Sequence, residues 1–413
     1  MKAVSLNSSR HLSTTPRPGV LEGLARRLVL RQLRGISQGT LVIRDGAQLH
    51  TFGQSAAAES GATITVKDSR FYADVAFGGS IGAAESWMNG YWDCDDLVSL
   101  VRILARNIDL VDGMEGGLAW LSGPLQKLFH WVNRNTRSGA RRNIAAHYDL
   151  GNDFFALWLD PGMMYSCAIF ERPDATLAEA QHTRLERVCE RLDLQPTDHL
   201  VEIGTGWGTL AIHAASRYGC RVTTTTISKE QYELARQRIA AAGLADRITL
   251  VLEDYRDLTG QYDKLVSLEM IEAIGYDQYE AYFSKCAQLL RPGGRMLIQA
   301  ITIADDRFER YRRNVDFIQR YIFPGSCIPS EQVMRETIER VGAMRIKSID
   351  DIGLHYATTL NHWRGNFNQQ LDAVRALGYP EEFIRMWNFY LCYCEGGFLE
   401  RSISDVLLVA ERD

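Results

Sequence analysis

The stretch VEIGTGWGTL, Val201 to Leu210, decides how the chain is read. A short apolar run ends in Gly204, Gly206 and Gly208, and a helical pattern starts immediately after. Glycine allows a tight turn and lets a ligand approach main-chain N–H groups. Strand, glycine turn and helix open a βαβ unit, but that order serves two kinds of ligand. The dinucleotide fingerprint asks for G-x-G-x-x-G; here the third glycine comes one residue early. Glu202 stands two residues before the first glycine. Its charge would oppose a pyrophosphate and receive a cationic amine. Further on, Asp254 and Tyr255 of LVLEDYRDL close another strand with an acid and a ring that can bracket an adenine. These features favour S-adenosylmethionine over NAD. The ligand is expected at the carboxyl ends of the strands, as in other open α/β sheets.

Strand and helix patterns alternate around this stretch. HLVEIGTG, RVTTTTIS, ITLVLEDY, YDKLVSLEM and RMLIQAITI read as strands; TLAIHAASRYG, KEQYELARQRIAAAG and YEAYFSKCAQLLRPGG read as helices. The expected fold class is α/β: a doubly wound, Rossmann-like class I methyltransferase domain with helical insertions over residues 143–413. A smaller α+β domain over 20–130 precedes it, joined by a basic linker at 131–142. Residues 1–19, polar and without an apolar core, read as a disordered tail.

The smaller domain opens with a helical pattern from Val20 to Ile36. Leu21, Leu24, Leu28 and Leu33 recur on one side, and Arg26, Arg27, Arg31 and Arg34 add charge. Such a helix either packs on its own domain or lies on an anionic lipid surface. GTLVIRDGAQLHTFG and ATITVKDSRFYADVAFGG then alternate like strands, with turns at Asp45-Gly46 and Gly78-Gly79. Asp93, Asp95 and Asp96 surround a helix start and read as capping residues.

Composition narrows the partners. Residues 1–142 carry 17 Lys/Arg against 12 Asp/Glu, in a chain whose net charge is −5. A basic part can meet a membrane surface, but no basic run is interleaved with stacking aromatics, so no nucleic acid is expected. The 8 cysteines are scattered and suggest neither a disulfide framework nor a zinc site. No metal is expected. The setting is read as cytoplasmic, peripheral to the inner face of the membrane. An apolar and basic N-terminal surface is compatible with a homodimer.

HYDLGNDFFALWLDPGMMYSCAIF, EIGTGWGTL, TTTISKEQ, EDYRDL, LEMIEAIG, RYIFPGSCIPS and IGLHYATTLNHWR together resemble the cyclopropane-fatty-acyl-phospholipid synthase family, which includes the mycolic acid cyclopropane synthases. The likeness runs from about Asn143 to the C-terminus. It implies cofactor contacts at Tyr165, Ser166, Gly204 and Gly206, at Thr226, Ile227 and Gln231, and at Asp254 and Tyr255. It implies a bicarbonate base cradled by Cys167, Glu272, Tyr356 and the backbone near Leu268. Cys167 would then be a weak S–H donor to an anion and not a nucleophile. Two positions depart from the family pattern, Ala273 and Gln299, each standing where a histidine is usual. Gln299 can still donate through its amide, but it cannot carry a proton.

The implied substrate is the cis double bond of an unsaturated phospholipid acyl chain, and the implied product a cyclopropane. Methyl transfer to an alkene leaves a carbocation. The site must therefore exclude water, present soft electron-rich walls and hold a base. Phe154, Phe155, Trp158, Met163, Met164, Tyr165 and Phe170 are candidate walls or ordinary core. A 1,2-hydride shift and proton loss elsewhere would give a methylene-branched chain, and reduction by a partner a methyl-branched one. A catalytically silent lipid-binding module is the reading from outside enzymology.

Overall fold

A computed structural model describes residues 20–54, 61–116 and 150–413. The expected tail at 1–19 and linker at 131–142 lie outside the described residues. Two sheets organise the rest.

The first has four strands in the order β2-β1-β3-β4, with β1 at Gly39–Asp45, β2 at Gln48–Gln54, β3 at Gly61–Val66 and β4 at Trp92–Cys94. β1 and β2 form the hairpin expected at Asp45-Gly46, with Gly46 at φ 59°. The helix Val20–Leu33 buries Ala25, Val29 and Leu33, one turn apart, and leaves Arg27 and Arg31 exposed. Asp96 caps the helix Leu97–Arg106 by accepting from Ser99 N at 3.0 Å.

One strand expectation fails. Only Gly61–Val66 of the second alternating run is a strand, and Arg70–Met88 is a helix. Phe71 and Val75 lie one turn apart and both are buried, so the same apolar spacing satisfies a helix. The Gly78-Gly79 pair is a kink inside it, with Gly79 at φ 59°, ψ −138°. Across the kink the chain turns back on itself: a Cβ on Gly82 would come 1.9 Å from the Asp74 carbonyl oxygen.

The second sheet has seven strands in the order β10-β11-β9-β8-β5-β6-β7. The strands are β5 His199–Ile203, β6 Arg221–Thr225, β7 Ile248–Val251, β8 Tyr262–Leu268, β9 Leu290–Ile303, β10 Met344–Asp351 and β11 Ile403–Arg412. β7, β6, β5, β8 and β9 run parallel, as the alternation predicts, and β11 enters antiparallel between β9 and β10. Chain order reverses at β5, so β5 and β8 meet at the switch point where such sheets leave a crevice.

The two sheets share helices. Helix Glu381–Leu399 packs against Leu97–Arg106 so closely that a Cβ on Gly396 would lie 2.6 Å from Val101 Cγ1. Arg385 stacks on Trp87 at 4.0 Å and donates to the Trp92 carbonyl at 2.8 Å. Glu400 accepts from Arg102 at 2.6 Å and Arg106 at 2.7 Å. Among the described residues no helix is long and apolar enough to cross a membrane.

Candidate active site

A cavity of about 590 Å³ lies at the carboxyl ends of β5 and β8. Every residue expected to hold the cofactor lines it. Gly204 and Gly206 take φ 101° and 53°, conformations that a side chain would strain. Thr226 Oγ1 donates to Gln231 Oε1 at 2.8 Å, and Ser228 caps the helix Lys229–Ala241 below them. Asp254 is paired with Arg256 at 2.8 and 2.6 Å, and the Tyr255 ring packs on Tyr282. Glu202 is buried and accepts from Thr224 Oγ1 at 2.6 Å. Burial pushes its carboxyl up to about 8, so a cation arriving there would meet a group able to give up a proton.

The aromatic segment before β5 divides. Met163, Met164 and Tyr165 line the cavity. Phe154, Phe155 and Trp158 are fully buried core, and Phe170 stacks on His362 at 5.3 Å. Tyr165 is fixed by its hydroxyl, 2.8 Å from that of Tyr390. Glu395 does not face the cavity; Arg364 and Asn361 hold it.

At the β8 end the expected anion cradle closes on a side chain. Glu269, the residue after β8, takes φ 48°, a left-handed conformation costing about 1–2 kcal/mol that its surroundings must hold. Its Oε1 accepts from the Cys167 backbone N–H at 2.6 Å and from Gln299 Nε2 at 2.7 Å. Its Oε2 accepts from the Tyr356 hydroxyl at 2.6 Å. Three of the residues implied to hold bicarbonate thus converge on a carboxylate of the chain itself. Cys167 contributes its main chain and not its thiol: Sγ faces the carbonyl oxygens of Ala168 at 3.2 Å and Ile352 at 3.7 Å. Burial holds that thiol far above its usual range, so it is no nucleophile. Cys167 and Gln299 do not line the cavity and reach it only through Glu269; Glu269, Glu272 and Tyr356 do line it.

Glu272 accepts from Ile301 N at 2.5 Å, and its other oxygen is buried without a partner. Asp405 of β11 accepts from the second amide proton of Gln299 at 2.7 Å. Arg184 is fully buried and reaches Ser166 Oγ at 3.0 Å and Gln181 Oε1 at 3.2 Å. Three buried carboxyls beside one guanidinium cannot all ionise, since each unpaired buried charge costs several kcal/mol. Burial, then the Glu269 charge, raises Glu272 to about 8; the same causes raise Asp405 well above its usual range. Glu269, with three donors, is lifted by burial only to about 7. Its three donors favour the ionised form of Glu269, while burial beside that charge favours the protonated forms of Glu272 and Asp405.

Glu269, Arg184 and Asp405 escape sequence reasoning. Arg184 left a trace: with Gln181 it falls on the apolar face of the helix Leu177–Leu192, where a charge is out of place. Glu269 stands inside the quoted LEMIEAIG at the end of an apolar strand. The sequence patterns mark neither β10 nor β11 as a strand, so Asp405 carries no signal.

Such a fold with such a cofactor wall defines an S-adenosylmethionine-dependent methyltransferase of class I. Residues 135–407 match the family described as mycolic acid cyclopropane synthetase. The chain is 44% identical to the tuberculostearic acid methyltransferase UfaA1 of Mycobacterium tuberculosis, over 78% of its length and 76% of the relative's. It is 37% identical to the cyclopropane-fatty-acyl-phospholipid synthase of Escherichia coli K12, over 83% and 86%. The solved mycolic acid cyclopropane synthase CmaA1, complexed with SAH and CTAB, is 31% identical with a TM-score of 0.62, covering 66% of this chain and 98% of that one. The chain belongs to the mycolic acid cyclopropane synthetase family.

Proposed function

We propose that the chain transfers a methyl group from S-adenosylmethionine to the cis double bond of an unsaturated phospholipid acyl chain. Glu269 then removes a proton from the transferred methyl, closing a cyclopropane. The observation that carries this reading is the convergence of Cys167 N–H, Gln299 and Tyr356 on the Glu269 carboxylate at the cavity wall. A base poised near neutrality suits proton removal at physiological pH. Bicarbonate, the base that the family resemblance implies, would be a further anion beside Glu269, and like charges in one buried site repel. In this reading a protein carboxylate takes its place.

Glu202, Gly204, Gly206 and the Thr226–Gln231 turn would hold the cofactor, with Tyr165 and Ser166 over it and Asp254 and Tyr255 at its adenine. When bound, that group supplies an electrophilic methyl. Protonated Glu272 and the aromatic wall keep water and a second base from the cation. The cavity continues to Leu41, Ile43 and Phe71 of the first sheet unit, giving an acyl chain an apolar course. Exposed Arg27 and Arg31 support docking on an anionic membrane from the cytoplasmic side.

A second reading, a methyl- or methylene-branched product, is favoured by the 44% identity to a tuberculostearic acid methyltransferase. Expression in a host lacking such an enzyme, followed by mass spectrometry of its fatty acids, separates the two. One added CH₂ that resists hydrogenation is a cyclopropane, and one added CH₂ with two further hydrogens is a methyl branch. One that hydrogenates is a methylene branch. Unchanged unsaturated lipids would sink both.

A further inference from the structure

Among the described residues outside the cavity, one cluster of side chains has the chemistry of a metal site. His182 and Glu186 stand four residues apart on the outer face of the helix Leu177–Leu192. His213 ends the helix Thr209–His213, which follows the glycine loop. Glu186 Oε1 lies 3.6 Å from His182 Nε2 and 3.4 Å from His213 Nε2. All three ligand atoms fall within 4.8 Å of one another. Zinc bonded at about 2.0–2.1 Å in a tetrahedron sets its ligand atoms roughly 3.3–3.4 Å apart. The two spacings to Glu186 are therefore close to those of a zinc sphere.

The polar atoms also lack another use. Glu186 Oε1 and His213 Nε2 are both buried without a hydrogen-bond partner. The His213 side chain is only 10% exposed. A buried polar atom left unsatisfied is costly, and a bound cation would recover that cost. The other Glu186 oxygen accepts from Tyr218 at 2.8 Å, which aims Oε1 at the two rings. Tyr218 gets there because the chain leaves His213 through a π-helical turn, Ala214–Tyr218, a form that often marks functional sites. Arg217 approaches the same oxygen at 3.5 Å, but its side chain is 71% exposed and can swing into solvent.

We propose that His182, Glu186 and His213 bind one zinc ion, with water in the fourth position. Two imidazoles and a carboxylate are a zinc ligand set. None of the three lines the cavity, so the ion would be a clip. It ties the helix that points Gln181 and Arg184 into the site to the first helix after the cofactor loop.

The test titrates the full chain, stripped with chelator, with zinc alone against a chromophoric competitor, and with cobalt(II) to read geometry from absorption. One equivalent of submicromolar zinc, an intense tetrahedral cobalt band and a zinc-dependent rise in melting temperature are expected. His182→Ala, at an exposed position where folding is not at stake, should abolish all three, and Glu186→Gln likewise. Tyr218→Phe should weaken zinc about tenfold, as loss of a ligand-orienting group does. No zinc binding by the unaltered chain, or binding that survives His182→Ala, would overturn the assignment.

Discussion

Along the carboxyl edge of the sheet, β5 is followed directly by Gly204 and its neighbour β8 by Glu269. Both residues have positive φ, and both face one cavity. Around Gly204 the wall is largely main chain, with Glu202 behind it and room left for a ligand. Around Glu269 the donors are already spent: a backbone N–H, a phenol and an amide all point at one carboxylate. The first end waits for charge and the second supplies it. Neighbouring strands of one sheet can thus serve binding and chemistry separately, because the side chain after each strand sets the local field.

The widest separation of the two ends should come from Glu269→Gln. Turnover on unsaturated phospholipid should fall by about 10²–10⁴-fold, the usual contribution of a general base, while cofactor affinity is kept. Equal loss of both would mean that the ends are not separate. Glu269→Gly sharpens the point, since φ 48° suits glycine and the three donors would remain. This variant should be inactive in bicarbonate-free buffer and partly rescued by added bicarbonate.

At the other end, Glu202→Gln should weaken S-adenosylmethionine by about tenfold to a hundredfold, the worth of a hydrogen bond to a charged group. Calorimetry would measure it, and turnover at saturating cofactor should change little. Tyr356→Phe should cost roughly tenfold at neutral pH, for one lost donor to a charged acceptor. Its phenol stabilises the ionised form of Glu269, so its loss raises a pKa already near 7. The base is the ionised form, and the acid limb of the rate profile should therefore move to higher pH. A limb that stays put would show that another group titrates there.

The smallest effect is the proton count at the cofactor end. Glu202 holds a proton up to about pH 8 before binding, because burial disfavours its charge. A cationic amine reverses that preference, so binding at neutral pH should release up to one proton. Affinity should accordingly rise as pH climbs toward 8. Calorimetry in buffers of different ionisation heats reads both; no proton release would remove Glu202 from the contact.

Much of the proposed cofactor end is legible in the sequence. Gly204, Gly206, Glu202 and the Asp254-Tyr255 pair announce themselves by spacing within a strand and its turn, and strand ends are local features. The same locality explains the failure at Arg70–Met88, where Phe71 and Val75 fit either period until burial chooses. At the reacting end the resemblance supplied Cys167, Glu272, Gln299 and Tyr356, yet not what they hold. It left Cys167 as a thiol donor, whereas the fold uses its N–H.

The sequence alone determined a parallel sheet and the glycines and acids at its strand ends, because turns and periodicities depend on residues a few positions apart. Only the tertiary structure brought together the groups around the proposed base. Glu269 meets Gln299, Tyr356 and Cys167 across 30, 87 and 102 residues of chain. Burial then settles which carboxyl is charged, since the cost of a charge depends on everything packed around it.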